Sequence, residues 1–236
     1  MIERRGFNTL GKASFGWLDA KHHFSFGHYY DQKRVHWGPL RVWNDDTIAA
    51  GTGFDPHPHR DMEIITYVRK GAITHQDFLG NEGRTEAGDV QVMSAGTGIV
   101  HAEYNRETED TQIFQIWIVP NKGGVQPRWE SREFPKGDRA GDLVVLASGR
   151  EADADKGALT IHQDAALLAA TLPAGKTVTH ALGDRLAYLV PARGRVKVNG
   201  VEIDARDGAA IRDEPVLTIE ALEEAEILLA DLPKAA

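Results

Sequence analysis

The sequence predicts an all-β protein built from two antiparallel β-barrel domains. Three features lead there. Short runs rich in β-branched and aromatic residues recur at spacings of roughly 8–12 residues with Gly-rich turns between them. No stretch carries the sustained 3.6-residue apolar period of a long helix. The two halves also echo each other: Tyr67-Val68-Arg69-Lys70-Gly71-Ala72-Ile73 is repeated loosely by Leu189-Val190-Pro191-Ala192-Arg193-Gly194-Arg195-Val196, and Ala87-Gly88-Asp89-Val90-Gln91-Val92 by Arg206-Asp207-Gly208-Ala209-Ala210-Ile211. A chain of 236 residues is long enough for two such units, each with a core of its own.

In chain order, Trp17 to Tyr30 is dense in rings and histidines. Strand alternation puts Phe24 and Phe26 on one face and His23 and Ser25 on the other, so the rings fill a barrel end or wall a ligand pocket. His22, His23, His28 and His36 crowd this region at irregular spacing, and none is read as a ligand. Gly38 to Asp46 reads as turn, strand, turn. Met62–Gly71 and Ala72–Asp77 form a strand and its return. Gln112–Val119 alternates, with Ile113 and Gln115 on one face and Phe114 and Ile116 on the other. From Gln126 to Asp142 the pattern breaks into a charged stretch interrupted by Pro127, Pro135 and Gly137, read as an interdomain linker. The expected division is 1–130, a linker at 131–142, and 143–236. In the last unit Asn199-Gly200 marks a tight hairpin between Gly194–Val198 and Val201–Ile203.

Composition narrows the function. The net charge of −8 opposes direct nucleic-acid binding, which requires a basic face. There is no cysteine, so disulfides and thiolate metal sites are excluded. No apolar run is long enough to span a membrane, and the N-terminus lacks the apolar stretch of a secretory signal, which makes cytoplasmic the expected location.

Potential metal ligands concentrate between Gly51 and Asn105. His57 and His59, and likewise His101 and Glu103, lie two residues apart, so on strands each pair shares one face. Two antiparallel neighbours facing each other across a small barrel would bring all four onto one ion. Three imidazole nitrogens and one carboxylate oxygen suit iron, manganese, nickel, copper or zinc, and leave positions open for chemistry. Pro56 and Pro58 cannot donate ladder hydrogen bonds, which marks this segment as a strand start or an edge. Parity leaves Glu63 open as an alternative carboxylate. In the second half His162 and His180 are isolated and expected to be satisfied by hydrogen bonds, so that half is read as structural.

Gly51-x5-His57-x-His59-x3-Glu63-x7-Gly71 and Gly88-x5-Ser94-x-Gly96-x4-His101-x3-Asn105 resemble the two cupin motifs. The departures, Ser94 in place of Pro and two extra residues before the histidine, together with His75-x-Asp77-x2-Gly80 and Met93 to Glu103, resemble the pirin branch. The resemblance implies a bicupin with jelly-roll-like domains and metal only in the first. It implies the ligands His57, His59, His101 and Glu103, with Glu63 structural or supporting. It also implies one divalent ion, Fe(II) first, with nickel, manganese, copper, zinc or cobalt also accommodated. The implied activity is dioxygenation of a flavonol by O2 with release of carbon monoxide, Glu103 acting as ligand and base. The alternative is a non-enzymatic, metal-dependent regulator that binds a transcription or metabolic protein.

Overall fold

The computed structural model describes residues 1–134, 137 and 140–235. Strands make up almost all of its regular structure. The two helical elements among the described residues are the 3-10 turns Phe7–Thr9 and Glu151–Asp153, and no helix is long and apolar enough to cross a membrane. The expected all-β, two-domain architecture is present, as two sandwiches that each pair a seven-stranded with a four-stranded sheet.

In the first domain the large sheet runs Arg128–Arg132, Val90–Ser94, Glu63–Lys70, Thr111–Ile118, Leu40–Ile48, Leu18–His22, Gly11–Ser14. The small sheet runs Gly53–His59, Ile99–Tyr104, Ala72–Asp77, Glu82–Glu86. In the second domain the large sheet runs Ile2–Arg5, Gly208–Ile211, Leu186–Arg193, Ala225–Leu232, Ala166–Leu172, Val144–Ser148, Leu159–Thr160, and the small sheet Thr177–Ala181, Val216–Ala221, Val196–Val198, Val201–Ile203. Pairing between these strands is antiparallel except between Val144–Ser148 and Leu159–Thr160, and one isolated parallel bridge joins Ala140 to Thr171. The echo between the halves has a structural meaning: Glu63–Lys70 and Leu186–Arg193 occupy the same place in their sheets, as do Val90–Ser94 and Gly208–Ile211.

The two large sheets face each other. Residue alternation divides their strands into an outer face that packs on the other domain and an inner face that lines the sandwich. Ile65 and Tyr67, Phe114 and Ile116, and Val90 and Val92 join Tyr188, Val190, Leu228 and Ala230 in one interdomain core. Rings of the two domains meet there, Trp43 and Tyr188 at 5.6 Å and Phe24 and Tyr188 at 5.0 Å. The inward set of the first domain is Ile113, Gln115, Thr66 and Gln91, which matches the alternation expected for Gln112–Val119.

Several expectations change. Residues 44–46 are not a turn but part of strand Leu40–Ile48, and Ala72–Asp77 crosses to the small sheet instead of returning along Glu63–Lys70. Strand Ile2–Arg5 pairs with Gly208–Ile211, so the first strand of the chain completes the sheet of the second domain. Arg128–Arg132 is no linker but a strand at the edge of the first domain, beside Val90–Ser94; Pro135, Lys136 and Asp138 of the expected linker lie outside the described residues. Regular pairing ends at His22, and the chain from His23 to Phe26 twists away. It sends Phe24 into the interdomain core and Phe26 against Trp117 at 5.4 Å, so these two rings do not share a face. Finally, the two ligand-bearing strands are hydrogen-bonded neighbours in one sheet and do not face each other across the barrel. The hairpin at Asn199-Gly200 is as expected, with positive φ of 44° and 88° at its two central residues, the geometry that selects Asn and Gly.

Candidate metal centre

Strand Gly53–His59 is an edge, consistent with its two prolines, and it pairs on one side only with Ile99–Tyr104. His57 lies opposite His101. Two residues further along the partner, Glu103 lies opposite Phe54, three residues back on the edge strand. The extra residue is a bulge at the proline-containing stretch, where ladder bonds cannot form. The bulge rephases the strand, so that Phe54 as well as His57 turns inward. On the other side of Ile99–Tyr104, His101 is opposite Asp77 and Glu103 opposite His75. Registered neighbours share a face. Three adjacent strands therefore turn His57, His59, His101, Glu103, His75 and Asp77 into one interior.

The imidazoles are close. His57 Nε2 and His101 Nε2 are 3.1 Å apart, and the His59 ring centroid is 4.8 Å from that of His57 and 5.0 Å from that of His101. Donor atoms of these three histidines all lie within 4.8 Å of one another. Burial, with the neighbouring imidazoles adding to it, pushes His59 down to about 4 and His101 to about 3, so both rings are neutral near pH 7.

The hydrogen bonds behind these rings assign their tautomers. His57 Nδ1 donates to the Asp55 carbonyl at 2.7 Å, which leaves Nε2 a bare lone pair. His75 Nε2 donates to Asp77 Oδ2 at 3.0 Å, so its Nδ1 accepts from His101 Nδ1 at 3.3 Å, and His101 Nε2 is also bare. Burial alone would raise the Asp77 pKa; hydrogen bonds from His75 and Asn81 outweigh it and hold the carboxylate below its ordinary range. The His75 ring is fully buried and stacks on Trp129 at 4.7 Å with planes 7° apart. Trp117 closes the other side, edge-on to His59 at 5.0 Å.

Glu103 is 1% exposed. Its Oε1 accepts from Gln91 Nε2 at 2.6 Å and Thr66 Oγ1 at 3.2 Å, and its Oε2 from Gln115 Nε2 at 2.7 Å. A carboxylate has about four lone-pair sites. Three are taken, and one remains on Oε2.

This donor set fits a divalent ion. Two nitrogens each about 2.1 Å from one ion at a right angle stand about 3.0 Å apart, which is the separation of the two bare Nε2 atoms. Outer partners that fix ligand tautomers are the usual companions of metal-bound histidine. The structure brings His57, His59 and His101 together as expected. Glu103 adjoins the same cluster through His101, grouped with it and His75.

Glu63 turns to the opposite face. It is fully buried, accepts from Ser94 Oγ at 2.7 Å, and lies 3.2 Å from His162 Nδ1 of the second domain, which makes it a structural interdomain residue. The Ser94 that departs from the cupin pattern is thus Glu63's hydrogen-bond donor. His162 and His180 are both satisfied as expected, the latter by Asp231 at 2.8 Å. Among the described residues, His22, His23, His28 and His36 join no ligand cluster. Sequence reasoning did not assign His75, Asp77, Gln91 and Gln115 to the site. The available signal was polar side chains at the inward positions of otherwise apolar strands.

Beside the cluster lies a cavity of about 310 Å³, walled by Trp17, Phe26, Tyr29 and Phe54, with Gln115 among its lining residues. Tyr29 lies flat on Gly11, where any Cβ would come within 2.3 Å of the ring. Phe26 walls a pocket as one reading expected; Phe24 does not.

Comparisons with known proteins agree with this architecture. A family model described as Pirin matches residues 4–118, and one described as the quercetinase C-terminal cupin domain matches residues 145–232. The chain is 66% identical over 232 residues to a pirin-like protein of Caulobacter vibrioides, covering 98% of this chain and 99% of the relative. It is 45% identical over 235 residues to quercetin 2,3-dioxygenase of Escherichia coli K12, covering 99% of each. The crystal structure of a bacterial pirin from Escherichia coli in complex with nickel(II) superposes with a TM-score of 0.92 at 43% identity, again covering 99% of each chain. The match spans both domains and nearly the whole length of these relatives, and the chain belongs to the pirin family of the cupin superfamily.

Proposed function

We propose that this protein is a metal-dependent dioxygenase that cleaves a flavonol of the quercetin type with O2 and releases carbon monoxide. The observation that carries this reading is the pair of bare imidazole nitrogens, His57 and His101, pointing into one space beside an aromatic-walled cavity of ligand size. Support also comes from the relative named quercetin 2,3-dioxygenase.

In this reading His57, His59, His101 and Glu103 hold one divalent ion, Fe(II) first, with nickel, manganese, copper, zinc or cobalt able to take the same donors. The ion, when bound, supplies Lewis-acid and O2 chemistry. The residues of the chain do the rest. Asp77 and His75 hold His101 oriented and fix its tautomer, while burial keeps it neutral. Gln91, Gln115 and Thr66 hold the Glu103 carboxylate in place. The rings of Phe26, Phe54 and Trp17 orient a flat substrate and exclude water. Glu103 is the proposed acceptor of the flavonol 3-hydroxyl proton. Its single free site on Oε2 makes coordination and proton acceptance alternate roles. The metal function falls to the first domain and a structural one to the second, in a cytoplasmic protein.

Metal analysis of the purified protein, paired with aerobic and anaerobic flavonol bleaching, tests this. Bleaching that needs both O2 and bound metal is the expected result, and full metal loading with no turnover of any flavonol overturns it. Unchanged cleavage by Glu103→Gln at full metal occupancy removes the base role.

One observation favours a second reading, a metal-dependent regulator that docks on a protein. Phe78 and Leu79, directly after Asp77, are 79% and 53% exposed. If regulation is the function, their protection from hydrogen exchange changes with metal loading while flavonols are left intact.

A further inference from the structure

The cavity beside the metal cluster is apolar in its walls but not throughout. Asn44 and Asp46 lie two residues apart on strand Leu40–Ile48 and so share its inner face. Their neighbour Asp45 points the other way and is paired with Arg69 and with Arg206, the latter at 2.6 Å. Asp46 has no such cation. It is 2% exposed, its Oδ1 is buried, and that oxygen has no hydrogen-bond partner. Leaving a buried carboxyl oxygen unpaired is costly. Among the acidic and amide side chains on this strand, Asn44 and Asp45 are paired and Asp46 Oδ1 has bonding capacity left over.

Across the strand pair, His22 is registered with Asn44, and its Nδ1 donates to Asn44 Oδ1 at 2.8 Å. The Nε2 of His22 is therefore an acceptor. Its ring lies among those of Phe26 at 5.3 Å and Tyr29 at 6.4 Å, and it lines the same cavity as Asp46.

We propose that Asp46 and His22 form a hydroxyl-recognition subsite that selects aromatic substrates bearing ring hydroxyls in addition to the group that meets the metal. The inference rests on the flavonol reading above and names the part of the substrate that this chain discriminates. A phenolic hydroxyl both donates and accepts. It can donate to His22 Nε2 and bond to the unpaired Asp46 oxygen. Burial, with Asp45 and Glu103 nearby, pushes the Asp46 carboxyl well above its ordinary range, which favours the protonated form that donates as well as accepts. A plain hydrocarbon ring in the same place leaves these polar groups unsatisfied, and a site built this way rejects the analogue that lacks the hydroxyl.

The test is anaerobic binding to zinc-loaded protein, followed by tryptophan fluorescence quenching. The probes are quercetin and 3-hydroxyflavone, which share the 3-hydroxyl and carbonyl pair and differ in their other hydroxyls. The wild type is expected to prefer quercetin. Asp46→Leu is expected to weaken quercetin about tenfold, the effect of one lost hydrogen bond to a polar partner, and to leave 3-hydroxyflavone unchanged. Asp46→Asn, which keeps a donor and an acceptor, retains the preference. His22→Phe, from the other side of the cavity, gives the same selective loss and reads the subsite independently of how Asp46→Leu folds. A wild type that binds the two probes equally, or variants that lose both alike, overturn the subsite. A wild type that binds quercetin selectively under argon but never cleaves it in air overturns the dioxygenase reading and leaves the subsite standing.

Discussion

In the first domain, strand Ile99–Tyr104 lies between Gly53–His59 and Ala72–Asp77 and turns His101 and Glu103 inward. In the second, Val216–Ala221 holds the same place between Thr177–Ala181 and Val196–Val198 and turns Leu217 and Ile219 inward. Around them the first domain has His57, His75 and Asp77, where the second packs Val178, Val196 and Val198 into a continuous aliphatic core. His180, the histidine of the second small sheet, bonds Asp231, which also accepts from Arg150 and Arg185, both at 2.5 Å. Strand order is thus independent of what the sandwich encloses. Each buried aliphatic side chain contributes about 1.5–3 kcal/mol, whereas buried polar groups stabilise only when every one is bonded. The second domain stabilises the molecule, and the first uses the same frame to hold reactive groups. The shared interdomain core couples them.

Four substitutions probe that division, from the largest expected effect to the smallest. His101→Ala removes a proposed ligand at the centre of the small sheet. Metal affinity, measured by chelator competition, is expected to fall by more than the roughly 100-fold that outer partners of a metal site are worth. A variant that retains full affinity breaks the distinction between the domains. Ile219→Ala, at an equivalent central strand of the second domain, is expected to cost about 2–5 kcal/mol in denaturant unfolding while folded protein still binds one equivalent of metal; loss of metal without loss of stability contradicts it.

His75→Phe keeps the stack on Trp129 and removes both ring nitrogens. Metal affinity is expected to drop about 10–100-fold, and unchanged affinity shows that the Asp77–His75–His101 chain does not orient the ligand. The smallest effect concerns pH. His23 is fully buried at the domain interface and bonded to Tyr188 at 2.9 Å, and burial, reinforced by Arg5, Arg34 and Arg206, holds its pKa well below 6.5. The unfolded chain takes up that proton near pH 6.5 and the folded chain does not, so the stability contribution is present above 6.5 and is lost as pH falls. Asp231, held below 3.8 against the effect of burial by His180 and Arg185, contributes stability that is lost only below about 3.8. The interface is therefore expected to weaken before the Asp231 cluster on acidification, by up to about 1.4 kcal/mol per pH unit relative to His23→Gln at constant metal loading. Parallel unfolding curves for the two proteins between pH 4 and 6.5 contradict this.

Much of the fold and the centre of the site were legible before any coordinates. Two-residue spacing is enough to place His57 with His59 and His101 with Glu103, because a strand repeats every two residues. Asn199-Gly200 announces its own hairpin through backbone sterics. What was not legible depended on phase and on distant partners. The bulge near Pro56 changes which residues of Gly53–His59 face inward. The twist after His22 separates Phe24 from Phe26. Alternation within Glu63–Lys70 specifies two faces but not which one meets the metal, so Glu63 was settled only by its bonds to Ser94 and His162.

By itself the sequence determined the all-β class, the repeat, the edge strand and the list of donors, since each follows from local sterics or from side-chain chemistry. Only the tertiary structure decided that the donor strands are neighbours in one sheet, that His75 and Asp77 stand behind His101, that Ile2–Arg5 belongs to the second domain, and that Asp46 Oδ1 is left without a hydrogen-bond partner. These depend on register between segments tens to hundreds of residues apart. Register is chosen by the packing of the whole core and leaves no local mark.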